Sequence, residues 1–369
     1  MFLLERLVGI SLFAAVLLFM CFLISTCKSH RGVRVVLFCY TIVLSVMAFF
    51  YVPYVTADLY RIYGSLNYFR TFDFVSFLER YQNSSAPISD IYYWLISKTG
   101  ENRLLPAVSS FITFSCIFYV FRKTMEKYKI SEKNVAITLF FVMSTGIFIT
   151  VTGVRNIIAV SLVVFCFFRE TVEKKFRLYH ILLYIIAALM HNFAVAIILI
   201  RLIIPLFDRT MKAWKRIVYI LFLAILSILL FANINELLES VFEKAMGYIT
   251  GKMYSYTWGY IIGALILAIV IINLIQYSKI RKGDVKDLNQ LRLFSIISIS
   301  IAMLCFFEYS IFSRTSSILL PVIYAPCFML VLEKSKDSRF RNNVIIISVV
   351  IMVVSFLRGE MSGYKFFVL

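Results

Sequence analysis

Charge is scarce in this chain, and it is lopsided. Only 16% of the 369 residues are Asp, Glu, Lys or Arg, where a soluble domain carries about 25%. The 38 Lys and Arg outnumber the 20 Asp and Glu, leaving a formal net charge of +18. Histidine is limited to 3 residues and proline to 6. No phosphate-binding Gly-x-x-x-x-Gly-Lys-Ser/Thr loop occurs, no Gly-x-Gly-x-x-Gly fingerprint and no His-x-x-x-His pair. A Gly-x-Ser-x-Gly elbow is also missing. These absences speak against ATP hydrolysis by this chain, dinucleotide chemistry and zinc-peptidase chemistry, and no cofactor or metal is expected. The seven cysteines (Cys21, Cys27, Cys39, Cys116, Cys166, Cys305 and Cys327) fall in apolar runs or at an inner helix end, and none lies in an expected outer loop. They read as small hydrophobes, without disulfide or metal spacing.

Apolar residues fill the space that charge leaves. The chain is 61% hydrophobic with a mean hydropathy of +0.88, above the roughly 45–50% apolar content of soluble proteins. This predicts an all-α, polytopic integral membrane protein forming one domain over residues 1–369. The expected spans are 7–26, 33–52, 104–121, 135–152, 156–168, 178–190, 193–207, 217–232, 257–277, 292–307, 315–332 and 344–357, about twelve crossings, several of them short for a bilayer. The first has no Ala-x-Ala cleavage end and is read as retained. Two larger extracytoplasmic loops are expected, 53–103 and 233–256. In the first, Ile88 to Ile96 reads as a short interfacial helix whose Tyr92, Tyr93 and Trp94 suit headgroup depth. In the second, Glu236, Glu239 and Glu243 share one helical face, more simply solvated than catalytic.

Charge distribution orients the chain. Loops 27–34, 122–133, 169–177, 208–216, 278–292 and 333–343 together hold 25 Lys and Arg against 9 Asp and Glu, so +16 of the +18 lies on one side. That is the positive-inside pattern. The basic balance therefore reports topology, and no nucleic-acid partner is expected.

Two breaks in the apolar runs carry the chemistry. Val151-Thr-Gly-Val-Arg155-Asn-Ile-Ile-Ala159 interrupts residues 134–168, where the chain is expected to turn near Gly153. Met190-His191-Asn192 interrupts residues 178–207. Ionisable groups at membrane depth are costly and usually face a functional cavity; the alternative is that Arg155 snorkels to lipid headgroups and His191 caps a turn. Asp58, Arg61, Arg155, His191, Glu308 and Arg314 all fall on the expected outer side, with His191 the one histidine there. Arginine offers a permanent charge and a planar fork for phosphate oxygens, and histidine exchanges protons near neutrality. The set suits an anionic lipid headgroup, above all a pyrophosphate.

These stretches resemble the EpsG/Wzy-type polysaccharide polymerases of bacterial cell envelopes. Asp58-Leu-Tyr60-Arg61-Ile-Tyr63 is similar to the family's acidic–aromatic motif, and Ile88 to Gly100 to its following apolar stretch. Gly153-Val-Arg155-Asn156 resembles its arginine motif, where Gln more often follows, and Ala187-Ala-Leu-Met-His191-Asn192 its histidine motif, where Pro or Ser often follows. Ser313-Arg314 with Leu319 to Tyr324 is weakly similar to a later arginine motif. The resemblance implies a GT-C-like fold and a metal-independent glycosyltransferase in the bacterial inner membrane, with its site on the periplasmic side. It would transfer a growing O-antigen, capsule or lipopolysaccharide glycan from undecaprenyl pyrophosphate to another lipid-linked repeat unit, in company with a chain-length regulator protein. Arg155 and Arg314 would hold the leaving pyrophosphate, and His191, with Asp58 as runner-up, would act on the attacking hydroxyl. Arg61, Tyr60, Tyr63, Asn156, Asn192 and Glu308 would line the substrate. An exposed Asp58–Arg61 ion pair is an equally good reading of those two residues. A flippase for lipid-linked oligosaccharide, an O-antigen ligase or another envelope transferase are the competing functions.

Overall fold

The computed structural model describes residues 2–53, 55, 57–148, 153–207, 212–214, 216–221, 223, 257–280, 287–335 and 338–357. Helices dominate these residues and no strand occurs among them. The chain is an all-helical, polytopic membrane protein, with several helices long and apolar enough to cross a bilayer. The expected span 217–232 and loop 233–256 lie largely or wholly outside the described residues.

Two long helices open the chain, α1 (Phe2–Thr26) and α2 (His30–Phe49). Ser29 caps α2 by accepting the Gly32 N–H at 3.2 Å. Then come three short helices, α3 (Asp58–Phe69), α4 (Phe74–Tyr81) and α5 (Pro87–Ser97), before α6 (Leu104–Tyr128) returns through the bundle. The predicted interfacial helix at Ile88 to Ile96 is thus α5. Its aromatics are packed, however, where the sequence pointed to a headgroup belt. Tyr93 is buried, Tyr92 shares a hydrogen bond with Ser109 at 2.9 Å, and Trp94 lies against Phe74 with ring centroids 4.9 Å apart. Phe69, Phe77 and Tyr81 complete this aromatic core. The Arg70 guanidinium clamps the group by donating to Ser97 O at 3.1 Å, Gly100 O at 2.7 Å and Asn102 Oδ1 at 2.6 Å. Residues 58–103 therefore form a folded cap with its own small core.

Helix α7 (Glu132–Ser144) ends ten residues before α8 (Val154–Thr171) begins. Gly146, just past the end of α7, has φ +79°; a glycine takes this left-handed backbone without the Cβ clash other residues meet. Gly153, expected to be the turn, has φ −91° and serves as the N-cap of α8. Next follow α9 (Leu178–Met190) and α10 (Asn192–Ile203), then α11 (Thr257–Ser278) and α12 (Asn289–Leu304). The last run is composite: α13 (Tyr309–Ser313), a π-helical segment (Arg314–Leu319) and α14 (Leu320–Lys334). A closing helix, α15 (Ser338–Leu357), packs on α7 and α11.

Helix α14 is the axis of the bundle. Every residue from Leu320 to Leu332 is buried, against α6, α7, α8, α11 and α12. A helix apolar all round belongs in such a place or against lipid. Phe328 stacks on Phe141 at 4.8 Å, and the Tyr324 hydroxyl bonds Asn273 Oδ1 of α11 at 2.7 Å. Two glycines let α11 approach the segment leading into this axis. A Cβ at Gly259 would overlap the Tyr309 phenol, and one at Gly263 would overlap the Phe312 ring and stand 2.7 Å from Ser316 Oγ. The Gly-x-x-x-Gly spacing is the membrane device for close helix contact.

The bundle has two chemically different ends. At one, Arg34 pairs with Glu126 at 2.8 Å, Lys127 and Lys174 both reach Asp287 at 2.6 and 3.8 Å, and Ser131 donates to Glu333 at 2.8 Å. These contacts join residues of five of the six basic loops. At the other end stand the cap, the start of α8 and the α9–α10 turn.

Candidate functional site

Three chain reversals build the site. Arg155 occupies the first turn of α8, where Gly153 supplies no capping side chain. The N–H groups of that turn and the positive end of the helix dipole therefore add to the arginine's charge. His191 ends α9 and caps α10: its N–H donates to Ala187 O at 3.1 Å, and its Nδ1 accepts the Phe193 N–H at 3.0 Å. Arg314 opens the π-helical segment, a kind of irregularity frequent at functional sites. The segment touches α8, and α10 packs on α8 and α9.

Electrostatics links the three. Burial, then the positive charges of Arg314 and Arg155, push the His191 imidazole from its ordinary range down to about 3. The ring is thus neutral at physiological pH. Because Nδ1 accepts a backbone N–H, the proton of the neutral ring resides on Nε2. His191 is consequently a hydrogen-bond donor in the field of two arginine charges, and its lone pair is committed to the turn. Of the two roles expected of this residue, base or orienting group for the hydroxyl, that tautomer suits the second.

The cap adds Asp90, which the sequence reading left unassigned, and Tyr93, which it placed at headgroup depth. Asp90 of α5 lies in the field of Arg155 and accepts a hydrogen bond from the Ser84 hydroxyl. Burial raises its carboxyl above the ordinary range, while Ser84 and Arg155 hold it down. Tyr93, one turn along, is pushed up to about 12, chiefly by burial, and feels Arg155, Asp90 and Asp58. The available signal was a lone carboxylate in an otherwise uncharged helix, residues 87–97.

The other candidates are distributed unequally. Asn156 is buried beside Arg155, and its Oδ1 has no hydrogen-bond donor among the described residues. Asn192 is exposed at the start of α10. Asp58 and Arg61 form an exposed ion pair with each other, and Tyr60 points largely to the surface. Tyr63 lies in the field of Glu101 and Arg103 instead, and burial raises its phenol. Glu308 caps α13 by accepting the Ile311 N–H. Among the described residues, no group of three or more His, Cys, Asp or Glu side chains gathers as a metal site would require.

Fold and site together define a polytopic helical membrane protein with a cationic centre at one end of its bundle. The EpsG family model matches residues 60–367, and the chain belongs to the EpsG family. That membership points to a function of the polysaccharide-polymerase, glycosyltransferase type. No curated protein and no solved structure matches the chain.

Proposed function

We propose that this protein is a polysaccharide polymerase of the bacterial inner membrane. It transfers a growing glycan from undecaprenyl pyrophosphate to the acceptor hydroxyl of another lipid-linked repeat unit, at the extracytoplasmic face. The observation that carries this reading is His191, its Nδ1 taken by the Phe193 N–H and its ring in the field of both Arg314 and Arg155. In the reaction the acceptor oxygen bonds to the anomeric carbon as the bond from that carbon to the diphosphate oxygen breaks. The electron pair goes to the diphosphate, whose negative charge grows. Two guanidinium forks, the Nε2–H of His191 and the open first turn of α8 all favour that charge more as it develops, which lowers the barrier. Arginine suits the role because it keeps its charge and meets two oxygens at once. The sign of the field also fits the product: a diphosphate left in the site stays bound until its lipid diffuses away.

The test is reconstitution of purified protein with a lipid-linked repeat unit. Polymerase activity gives longer glycans and releases one undecaprenyl pyrophosphate per bond formed. Movement of the lipid across the vesicle bilayer without glycan growth would instead identify a flippase. Transfer to a lipid A core acceptor but not to a second repeat unit would identify a ligase.

A further inference from the structure

We propose that Asp90 is the base that takes the proton of the acceptor hydroxyl, an assignment that rests on the polymerase reading. The inference begins with His191. Its Nδ1 is occupied by the Phe193 N–H and two arginine charges bear on the ring, so it is a donor and a poor proton acceptor. Some other group must receive the proton that leaves the attacking oxygen.

Among the described residues the acids at this end of the bundle are few, and most are committed; Glu236, Glu239 and Glu243 lie outside the described residues. Asp58 is paired with Arg61. Asp73 caps α4, accepting from Ser76 N at 2.8 Å. Glu101 chelates the Arg103 side chain, at 2.9 and 2.7 Å. Glu308 caps α13. Glu79 is exposed on α4. Asp90 differs from these. It is half-buried, its one hydrogen bond comes from the small hydroxyl of Ser84 through Oδ2, and Oδ1 accepts none among the described residues. Charged or titratable groups facing it come from three helices: Arg155 of α8, Tyr93 of its own α5 and Tyr81 of α4. Helix α5 also packs against α9, the helix that ends at His191. Asp90 thus sits on the cap, in the field of Arg155 and on a helix packed against the one that leads to His191.

This placement divides the labour. Arg155 and Arg314 take the leaving diphosphate, and Asp90 takes the proton from the incoming oxygen. As the new C–O bond forms and the old one breaks, that proton moves to the Asp90 carboxylate and afterwards passes to water. A half-buried carboxylate is a stronger base than a solvated one, and Arg155 keeps it ionised when the site is empty.

The experiment separates proton transfer from diphosphate binding. Asp90→Asn is expected to lower kcat by about a hundred- to ten-thousand-fold, the usual worth of a general base. It is also expected to bind undecaprenyl pyrophosphate as tightly as the wild type or more tightly, because a negative charge near the site has gone. In the wild type, kcat falls at acid pH along a one-proton limb. Asp90→Glu, which keeps a carboxylate, retains that limb with intermediate activity, and the residual activity of Asp90→Asn lacks it. Measured undecaprenyl pyrophosphate binding also reports that each variant is folded. If Asp90→Asn keeps the wild-type kcat and acid limb, the assignment is overturned. Equal loss of kcat and of diphosphate binding overturns it too, making Asp90 a positioning residue for Arg155. Failure of wild-type protein to lengthen any glycan is a separate result and counts against the polymerase reading itself.

Discussion

Arg201 of α10 grips Glu170 of α8 through Nε at 3.0 Å and Nη2 at 2.8 Å, both to Oε2. The pair fastens together the two helices that carry His191 and Arg155, at their opposite ends. The Glu170 side chain is only 9% exposed and Arg201 24%. Removing one partner strands the other charge with little water, a loss of about 3–5 kcal/mol for a fully buried pair and less here. Arg201→Ala should lower melting temperature and membrane yield, and adding Glu170→Gln should recover part of the loss. Equal melting of the single and double variants would show that the stranded charge is not the cause.

Substitution of Arg155 by Lys separates charge from geometry. Lys keeps the charge and loses the planar fork, so activity should fall roughly a hundred- to a thousand-fold, about 3–4 kcal/mol of transition-state stabilisation. The protein should still accumulate, because the Arg155 side chain is exposed. Polymer length on gels, with membrane protein levels measured alongside, decides the matter. Normal long-chain glycan from Arg155→Lys would return the residue to a snorkelling role.

The turn at His191 makes stability depend on pH. The folded ring titrates at about 3, and an unfolded histidine near 6.5. Between those values the unfolded chain takes up a proton that the folded one refuses. The contribution is therefore complete above about pH 6.5 and is lost as pH falls towards 3. His191→Asn keeps an acceptor for the Phe193 N–H but cannot titrate. Melting temperatures at pH 7 and pH 5 should drop less for this variant than for the wild type; identical drops would mean that burial and the two arginines do not hold the ring neutral.

Close packing at Gly263 should matter far more than at Gly64. Gly263→Val forces the side chain against Phe312 and Ser316, an overpacking cost of about 1–3 kcal/mol, and displaces the segment that carries Arg314. Stability and activity should fall together. Gly64→Ala, in α3, meets nothing within 4 Å and should stabilise by about 1 kcal/mol, through helix propensity. Thermal unfolding of the two variants beside the wild type checks both signs.

Topology can be read with single cysteines in a background without the seven native ones. Lys175→Cys, at the basic end, should resist a membrane-impermeant thiol reagent applied to intact cells, and Glu79→Cys on the cap should react. Both positions are exposed, so accessibility of the protein surface is not the variable. The reverse pattern would invert the assignment of sides.

Apolar runs and their basic punctuation made the helical membrane fold legible in the chain, since a span must be both long and apolar. Residues Leu178 to Met190 bound a helix where the run breaks at His191, because a single polar residue there ends one helix and caps the next. Arg155, His191 and Arg314 stood out for the same reason, as ionisable groups where lipid makes them expensive.

What the linear pattern could not contain was the partnership of each side chain. Asp58 and Asp90 are both acids in the same stretch, yet one is paired with Arg61 at the surface and the other faces Arg155. The tautomer of His191 depends on the backbone N–H of Phe193, and Gly146, not singled out in the sequence, takes the positive φ past the end of α7. Composition and periodicity fix which residues enter the bilayer. Charge state, tautomer and pairing are set by neighbours, some local in the chain and others, such as Arg155 for Asp90 and Arg314 for His191, brought near only by the folded bundle.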